Sequence, residues 1–353
     1  MGQVQWDVNN QEWGALSGLV ADPVDPLALY AVPDDAYASR VIRIRISPEG
    51  VPLEAAITAD ITQAGRQAYY DLEGIAHDTS AQAPAEPGFW LASEGNGRFD
   101  HDDYLPNMLV QVDRQGRVLQ EVRLPDEVDS PLGGLISKYG FEGITVSSDG
   151  RYILAAIQGA FRDDSDAQGR FTRIARYELA QRAWEFFLYP LDVGRKSGTF
   201  VGLSELINLG GDRYAVIERD NEEGKRARVK RIYTFRLDGV APFEGLVKKR
   251  SDLIGRIIAK TLLADTRPLG DFPKIEGLAL AADGALWAGP DNDGRAEGQP
   301  FVRVLEKVPA TTDRFLRVLL PPWSVVTGWW ARLVGGRTLP ASANPPGRCP
   351  RRR

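Results

Sequence analysis

A short pattern recurs along this chain at long, near-regular intervals, and it constrains the fold more than any other feature. The pattern is an acidic or serine residue, usually followed by glycine and an aliphatic residue, then a turn, then a second apolar run. Successive copies are 56, 69, 63 and 71 residues apart. Such spacing predicts a repeat architecture in which each copy is one supersecondary unit. The five copies centre on Ser17, Glu73, Glu142, Glu205 and Glu276.

Each copy predicts a small antiparallel sheet. Asp-Gly between apolar runs, as at 149–150 and 283–284, predicts a hairpin of the first two strands. A third run that alternates with period two follows in every copy, and a fourth follows in the first four, at 50–57, 117–124, 183–188 and 245–249. We therefore predict an all-β fold, a β-propeller of four-stranded antiparallel blades with five repeats visible and five or six blades.

Three segments fall outside the repeat. The alternating run at 4–8 is predicted to supply the fourth strand that the fifth copy lacks, and so to close the ring and hide its edges. Residues 252–264 have helical periodicity and predict a helical insertion on one face. The propeller domain is expected at 1–306, and 307–353 is expected to be a basic, Pro- and Arg-rich tail that is disordered or atypical. A membrane-surface patch is the alternative for the tail.

Charge and composition exclude several classes of protein. The tail has nine Lys or Arg against Asp313 alone, so residues 1–306 carry a net charge of −13, which disfavours nucleic acid and anionic membrane as partners. The longest apolar stretch of the tail has fourteen residues and two prolines, too short to span a bilayer. The single Cys349 excludes a disulfide framework. The first residues lack the basic and apolar regions of a signal peptide.

The repeated polar residues predict one central site. The first strand of a propeller blade is innermost, so we expect the same position of every copy to converge on the axis. Converging carboxylates repel one another unless they are protonated, paired with basic groups or bound to a cation. Ca²⁺ suits six to eight oxygen ligands of this kind, and no organic cofactor is predicted. The candidate metal ligands are Glu73, Glu142, Glu205 and Glu276 from the first strands, and Glu94, Glu218 and Asp291 from the second strands.

The alternative is that each glutamate only hydrogen-bonds neighbouring backbone and recurs because the blades were duplicated. The acidic loop 94–103 does not decide between the two, because it lacks the ligand spacing of an EF-hand. Three basic residues interrupt the acidic pattern and are candidates for binding a substrate anion, although a surface lysine is usually only solvated. They are Arg173, Lys230 and Lys274.

Common catalytic motifs are absent from the sequence. It contains no G-x-S-x-G, no H-E-x-x-H and no G-x-x-x-x-G-K-[ST]. The only two histidines, His77 and His101, lack a serine in a nucleophile context, which disfavours a Ser-His-Asp triad. Catalysis is therefore predicted to be metal-assisted, with no catalytic residue assigned.

Several motifs together resemble the phytase-like family, whose members are described as "esterase-like activity of phytase" proteins. They are Y-D-L-E-G-I-A (70–76), G-F-W-L-A-S-E (88–94), G-F-E-G-I-T (140–145), V-G-L-S-E-L (201–206), V-I-E-R-D-N (216–221) and K-I-E-G-L-A (274–279), and the resemblance spans about residues 13–305. It implies a β-propeller related to alkaline phytases, which use Ca²⁺ held by acidic side chains to hydrolyse phosphate esters. It also implies a periplasmic or secreted bacterial protein, although the sequence shows no export signal.

Two hypotheses follow from the sequence. The first is a Ca²⁺-dependent phosphoric-ester hydrolase that acts on a small phosphorylated or other ester substrate. The second is a non-catalytic propeller that binds a ligand or protein on one face and holds a structural metal. A protein partner is compatible with both hypotheses.

Overall fold

A computed structural model describes most of the chain. Its secondary structure is β-strand with short 3-10 turns at Gly224–Arg226 and Arg267–Leu269, and the described residues contain no α-helix. None of them forms a helix long and apolar enough to cross a membrane. The described residues are 5–6, 12–97, 102, 104–136, 138–164, 170–194, 199–222, 224–248, 253–269, 274–291 and 301–310.

The strands form five antiparallel sheets that follow one another along the chain, and two short ribbons accompany them. The ribbons are β1 (Gln5–Trp6) with β2 (Glu12–Trp13), and β7 (Thr62–Gln63) with β8 (Arg66–Gln67). The five sheets are blade 1, β3 (Leu16–Ala21), β4 (Ala28–Pro33), β5 (Arg40–Ile46) and β6 (Pro52–Asp60); blade 2, β9 (Asp71–His77), β10 (Phe89–Glu94), β11 (Met108–Val112) and β12 (Val118–Arg123); blade 3, β13 (Phe141–Val146), β14 (Tyr152–Ile157), β15 (Phe171–Glu178) and β16 (Ala183–Pro190); blade 4, β17 (Val201–Asn208), β18 (Tyr214–Asp220), β19 (Lys230–Phe235) and β20 (Lys260–Asp265); and blade 5, β21 (Lys274–Leu280), β22 (Leu286–Asp291) and β23 (Val302–Leu305).

The first strands of the blades form a closed inner ring. Each one packs against the first strands of its two neighbours, and β21 of blade 5 packs against β3 of blade 1. Glycine makes this close approach feasible, because a Cβ on Gly18 would lie 2.7 Å from the Gly74 Cα of the next blade. The all-β propeller predicted from the repeat is confirmed, with five blades.

Five hydrophobic clusters hold the blades together, one at each blade-to-blade interface. Because strand residues alternate between the two faces of a sheet, each blade contributes one face to each of two clusters. Trp90 of blade 2 and Trp287 of blade 5 are fully buried in two of them. The core of the propeller is therefore distributed around the axis, and it leaves the axis to polar residues.

The predicted helix at 252–264 is wrong over the described residues 253–264, and so is the fourth strand predicted at 245–249 over 245–248; residues 249 and 252 lie outside the described residues. Gly255 has a φ of +70°, which interrupts a right-handed helix. The chain then bridges to the edge of blade 3, where the Ile258 N–H donates to the Leu188 carbonyl at 2.9 Å. The fourth strand of blade 4 follows as β20. Backbone pairing with the edge of blade 3 and with β19 thus overrides the helical pattern of the local sequence.

The predicted closing strand at 4–8 is also wrong for its described part. Gln5 and Trp6 pair with Trp13 and Glu12 in the β1–β2 ribbon, and blade 5 has three strands in the described residues. The ring closes instead through packing of the inner strands. Of the predicted tail, residues 311–353 lie outside the described residues. The Arg213 Nη1 donates to the carbonyls of Pro309 and Ala310, both at 2.7 Å.

Candidate metal centre at the propeller axis

A β-bulge interrupts the inner strand of every blade at the repeated polar position. In blade 2, Leu72 pairs with Ser93 and Gly74 pairs with Ala92, so that Glu73 is the extra residue. The pairings of the other blades shift at the corresponding place. A bulge leaves its extra residue out of the ladder and re-aims its side chain. We call these positions the bulge ring; its members are Ser17, Glu73, Glu142, Ser204 and Glu276.

A second set of residues stands beside the bulge ring, at or just after the ends of the second strands. Each of them pairs with the residue two positions before the bulge residue of its own blade, as Glu94 pairs with Asp71 and Arg219 with Gly202. In blade 3 the equivalent pairing is the hydrogen bond from the Gln158 N–H to the Gly140 carbonyl at 2.8 Å. We call this set the rim ring; its members are Asp34, Glu94, Gln158, Arg219 and Asp291.

Glu205 stands one position away from the ring in which the sequence placed it. Ser204 is the bulge-ring residue of blade 4, and Glu205 takes the place that glycine has in other copies. Its carboxylate accepts the N–H groups of Leu19 and Leu206, each at 3.0 Å. Burial raises the pKa of Glu205, and these backbone donors oppose the rise. Glu205 thus ties inner strands together, and its prediction as a metal ligand is corrected.

The prediction of Glu218 as a metal ligand is also corrected, because Glu218 too stands one position away from the ring residue of its blade. Side chains alternate along β18, so Arg219 is in the rim ring and Glu218 points to the other face. There its carboxylate accepts hydrogen bonds from the Lys260 Nζ at 2.5 Å and the Tyr189 hydroxyl at 3.1 Å. Burial raises the pKa of Glu218 to about 7, against the charge of Lys260. This network lies between blades 3 and 4 and leaves Glu218 outside the central site.

Blades 3, 4 and 5 supply protein partners for their own carboxylates. The Arg219 guanidinium pairs with Glu276, and its Nε donates to the Ser204 Oγ at 2.7 Å. Burial lowers the pKa of Arg219, but the charges of Glu276 and the neighbouring carboxylates outweigh this effect. The pKa of Arg219 is therefore raised overall, and the guanidinium keeps its charge. The remaining partners complete a set that we call the paired sector. It comprises Glu142 with Gln158, Arg219 with Ser204 and Glu276, and Lys274 with Asp291, the last at 3.2 Å between Nζ and Oδ2.

Blades 1 and 2 bring together four carboxylates, which we call the acid sector: Asp34, Asp71, Glu73 and Glu94. One oxygen of each of Asp71, Glu73 and Glu94 lies within 4.8 Å of the others. Within the described part of the chain, no donor hydrogen-bonds to the Glu73 carboxylate. Blades 1 and 2 place no cationic side chain at the bulge-ring or rim-ring positions.

The acid sector has raised pKa values throughout. Burial, followed by repulsion from Glu142 and other carboxylates, raises the pKa of Glu73 well above its ordinary value. Burial raises the pKa of Glu94 to about 8, although the Gly140 N–H donates to its Oε1 at 2.7 Å. Burial and the nearby Asp35 and Asp34 raise the pKa of Asp71 to about 6. These groups resist losing their protons because burial and mutual repulsion outweigh the charge of nearby cations such as Lys138.

The donor set of the acid sector fits a hard divalent cation. Carboxylate oxygens are the ligands that Ca²⁺ prefers, and three carboxylates offer up to six of them. No histidine or cysteine is among the three, which disfavours Zn²⁺ and other borderline-soft metals. A bound cation would also supply the positive charge that this sector lacks.

Two of the predicted substrate-binding residues are buried away from the axis. Arg173 is fully buried, and its Nη2 donates to the Asp164 Oδ1 at 2.9 Å. Lys230 is also buried, and its Nζ donates to the Asp220 carbonyl at 2.8 Å. Arg173 lies near the start of β15 and Lys230 begins β19, and the alternation of side chains along these strands turns both into the sheet interior. Those two predictions are corrected, whereas Lys274 stands half-exposed at the rim.

The site also contains three residues that the sequence patterns did not predict. Asp71 precedes Glu73 by two positions, a spacing that puts both side chains on one side of a strand, so the Y-D-L-E motif carried the signal. Asp34 follows the second strand of blade 1, as Glu94 ends that of blade 2. The sequence pattern did not identify Arg219 as a ring residue, because its neighbour Glu218 is of the acidic type expected at that position.

Fold and site together define the class: a five-bladed β-propeller with a carboxylate centre on its axis. A family model described as "Phytase-like: Esterase-like activity of phytase" matches residues 11–294. The chain therefore belongs to the phytase-like family, as its motifs predicted.

Individual relatives are distant. An uncharacterized secreted protein of Arthroderma benhamiae is 22% identical in a match that covers 46% of this chain and 37% of the relative, so the chain spans little more than a third of that protein's length. The PQQ-bound aldose sugar dehydrogenase of Streptomyces coelicolor has a TM-score of 0.40 and 11% identity, with 86% of this chain and 98% of that chain covered. The calcium structure of the Trichoderma reesei family AA12 protein has a TM-score of 0.36 and 10% identity, with coverages of 80% and 91%. The periplasmic gluconolactonase of Pseudomonas aeruginosa has a TM-score of 0.31 and 14% identity, with coverages of 86% and 88%. At these scores the structural similarities carry no argument about function.

Proposed function

We propose that the protein is a Ca²⁺-dependent phosphoric-ester hydrolase whose active site is the acid sector. The observation that carries the proposal is the convergence of Asp71, Glu73 and Glu94 without a cationic partner in their own blades. Clustered carboxylates that no salt bridge compensates destabilise a folded protein, so this arrangement is expected to be kept for a ligand that compensates their charge. Membership of the phytase-like family supports the same reading.

Different residues of the site would bind the cation and the substrate. Asp71, Glu73 and Glu94 would hold the cation, and a bound Ca²⁺ would draw charge from the phosphoryl oxygens and position the ester. Lys274 and the exposed Lys138 stand at the rim, where they would bind the anionic oxygens of the substrate. In the overall reaction water adds across the P–O bond, which yields inorganic phosphate and an alcohol.

Asp34 is the carboxylate that we propose as the general base. It stands beside the metal ligands, since its charge acts on Asp71, but it is not one of the three clustered ligands. Its Oδ1 accepts the Ala36 N–H at 2.8 Å, which fixes the side chain. The carboxylate would take the proton of the attacking water.

An exported location is part of the proposal. The Arthroderma benhamiae relative is described as secreted. Extracellular calcium sites work with affinities of about 10⁻⁴–10⁻³ M, which a cluster of three carboxylates without a preformed calcium loop can match.

Hydrolysis of p-nitrophenyl phosphate by the purified protein tests the proposal. We expect turnover with Ca²⁺, none with a chelator, and one calcium-binding event by titration calorimetry. Glu73→Gln should lose both, whereas Glu127→Gln, a change at an exposed glutamate of a loop that precedes β13, should lose neither. Calcium binding without turnover of any phosphate ester would favour the non-catalytic alternative with a structural metal. If the protein neither bound calcium nor turned over any phosphate ester, both the hydrolase proposal and the structural-metal alternative would be wrong.

A further inference from the structure

The rim of the channel carries a carboxylate in blade 2 but glycines and aromatic side chains in blades 3 and 4. Asp71 of blade 2 stands two residues before its bulge residue, and the equivalent positions of blades 3 and 4 are Gly140 and Gly202. A Cβ on Gly202 would lie 2.7 Å from the Phe200 Cζ and 2.9 Å from the Gln158 carbonyl oxygen. In blade 4 an aromatic ring therefore occupies the neighbourhood where blade 2 has a carboxylate.

Tyr139 joins Phe200 to form a stacked pair at this rim. The two ring centroids are 4.4 Å apart with an interplanar angle of 28°, and both side chains are half-buried. Tyr139 leans on blade 3, since a Cβ on Gly159 would lie 2.7 Å from the Tyr139 Cβ. We call Tyr139 and Phe200 the aromatic pair.

The aromatic pair is a direct neighbour of the acid sector. Gly140, the residue after Tyr139, donates its N–H to the Glu94 Oε1 at 2.7 Å. The residue before Tyr139, Lys138, is exposed, and its Nζ lies 5.0 Å from the Tyr139 ring centroid. The charge of Lys138 also reaches Glu94. The Lys138 ammonium group therefore lies against an aromatic ring and also acts on a carboxylate of the acid sector.

We propose that the substrate is a phosphate ester of a phenol or another flat ring alcohol, and that the aromatic pair is its specificity determinant. This inference rests on the proposed function and deepens it. The phosphate would bind at the acid-sector cation, and Lys138 would turn from the Tyr139 ring toward the phosphate oxygens. The substrate ring would then pack against the face of Tyr139 that Lys138 leaves. A substrate charged on every side would instead place anionic groups against the aromatic pair.

Binding of two phosphonates, which cannot be hydrolysed, tests the inference apart from activity. Titration calorimetry in saturating Ca²⁺ should give phenylphosphonate an affinity about tenfold higher than ethylphosphonate, since a well-placed aromatic contact adds this much beyond apolar area. Tyr139→Leu, which keeps most of the volume, should reduce this ratio to about twofold, and Phe200→Ala should reduce it similarly. Tyr69→Ala changes an aromatic side chain that is 80% exposed and should leave the ratio unchanged.

The outcomes separate this inference from the proposed function. Calcium-dependent binding of both phosphonates with equal affinity would overturn the aromatic preference and leave the hydrolase proposal standing. An unchanged ratio in both Tyr139→Leu and Phe200→Ala would also overturn it. Preference for phenylphosphonate that persists in a chelator would support the aromatic pair and count against the calcium site. Absence of binding by either phosphonate would overturn both.

Discussion

The acid sector and the paired sector are built from the same repeat, yet they treat their carboxylates in opposite ways. Glu73 and Glu276 occupy the same bulge position in different blades. Glu276 is paired with Arg219, whereas no described residue donates a hydrogen bond to Glu73, and the nearby carboxylates repel its charge. The difference comes from the rim ring, which offers Gln158 and Arg219 on one side and Asp34 and Glu94 on the other. The bulge places a carboxylate on the inner strand, and a rim residue of the same or the neighbouring blade either provides a partner for that carboxylate or does not.

The largest effect is expected from breaking the paired sector at Arg219. Arg219→Met would leave Glu276 buried without its partner, which should lower the free energy of unfolding by about 3–5 kcal/mol. Urea unfolding monitored by tryptophan fluorescence measures it. Arg151→Met, which removes an exposed arginine from its ion pair with Glu178, should leave the free energy of unfolding nearly unchanged. The double variant Arg219→Met with Glu276→Gln should recover much of the loss, and equal losses in the two arginine variants would contradict the comparison.

The next effect concerns proton transfer in the acid sector. Asp34→Asn should lower kcat by about 100-fold, because the amide cannot accept the proton of the attacking water. Asp60→Asn is the matched control, since Asp60 is an exposed aspartate at the end of β6, the outermost strand of the same blade. Steady-state kinetics on p-nitrophenyl phosphate measure both. Similar rates in the two variants would remove Asp34 from its role.

The same substitution at equivalent positions of the two sectors should act in opposite directions. In chelator, Glu73→Gln should raise the free energy of unfolding by about 1–2 kcal/mol, because it removes a buried carboxylate without a partner. Glu276→Gln should lower it by about 1–2 kcal/mol, because Arg219 loses its counter-charge. Calcium affinity should fall in Glu73→Gln and stay unchanged in Glu276→Gln. A stability change of the same sign in both variants would mean that the sectors do not differ.

The smallest effect is the share of the pH-dependent stability that the acid sector contributes, which adds to the share of Glu218, whose pKa is also raised. The pKa values of Asp71, about 6, and Glu94, about 8, exceed their ordinary values, so the folded state binds more protons than the unfolded state. The stability of the chelated protein is then greatest below about pH 4 for these groups and falls as the pH rises through 6 and 8. The fall should be about 1 kcal/mol, since both side chains retain some contact with solvent. Saturating Ca²⁺ should abolish it, and thermal unfolding across this pH range with and without Ca²⁺ is the measurement.

The sequence predicted the repeat, the hairpins and the all-β fold because these depend on period and turn chemistry. It placed Glu73, Glu142 and Glu276 correctly on the inner strands for the same reason. It misplaced Glu205 and Glu218 by one residue each, because a glutamate of the expected type stood next to the true ring positions Ser204 and Arg219. A bulge changes which of two adjacent residues faces the axis, and that register depends on the pairing of strands rather than on residue type.

Tertiary context explains the other errors. Residues 252–264 have apolar spacing that suits a helix, but the edges of blades 3 and 4 offer backbone partners that a helix would forgo. Arg173 and Lys230 interrupt the acidic pattern in the sequence, but both lie in the sheet interior, where Asp164 and the Asp220 carbonyl accept their hydrogen bonds. Buried polar pairs of this kind depend on residues distant in sequence or on loops, and a local pattern does not contain them.

The bulges have a consequence for how the chemistry of such a protein can change. Because a bulge residue takes no part in the interstrand ladder, its side chain can be exchanged with little disturbance of the sheet that carries it. Every blade supplies one such position together with one rim neighbour. The side chains that line the channel can therefore be replaced one blade at a time, while the hydrophobic interfaces between the blades stay unchanged.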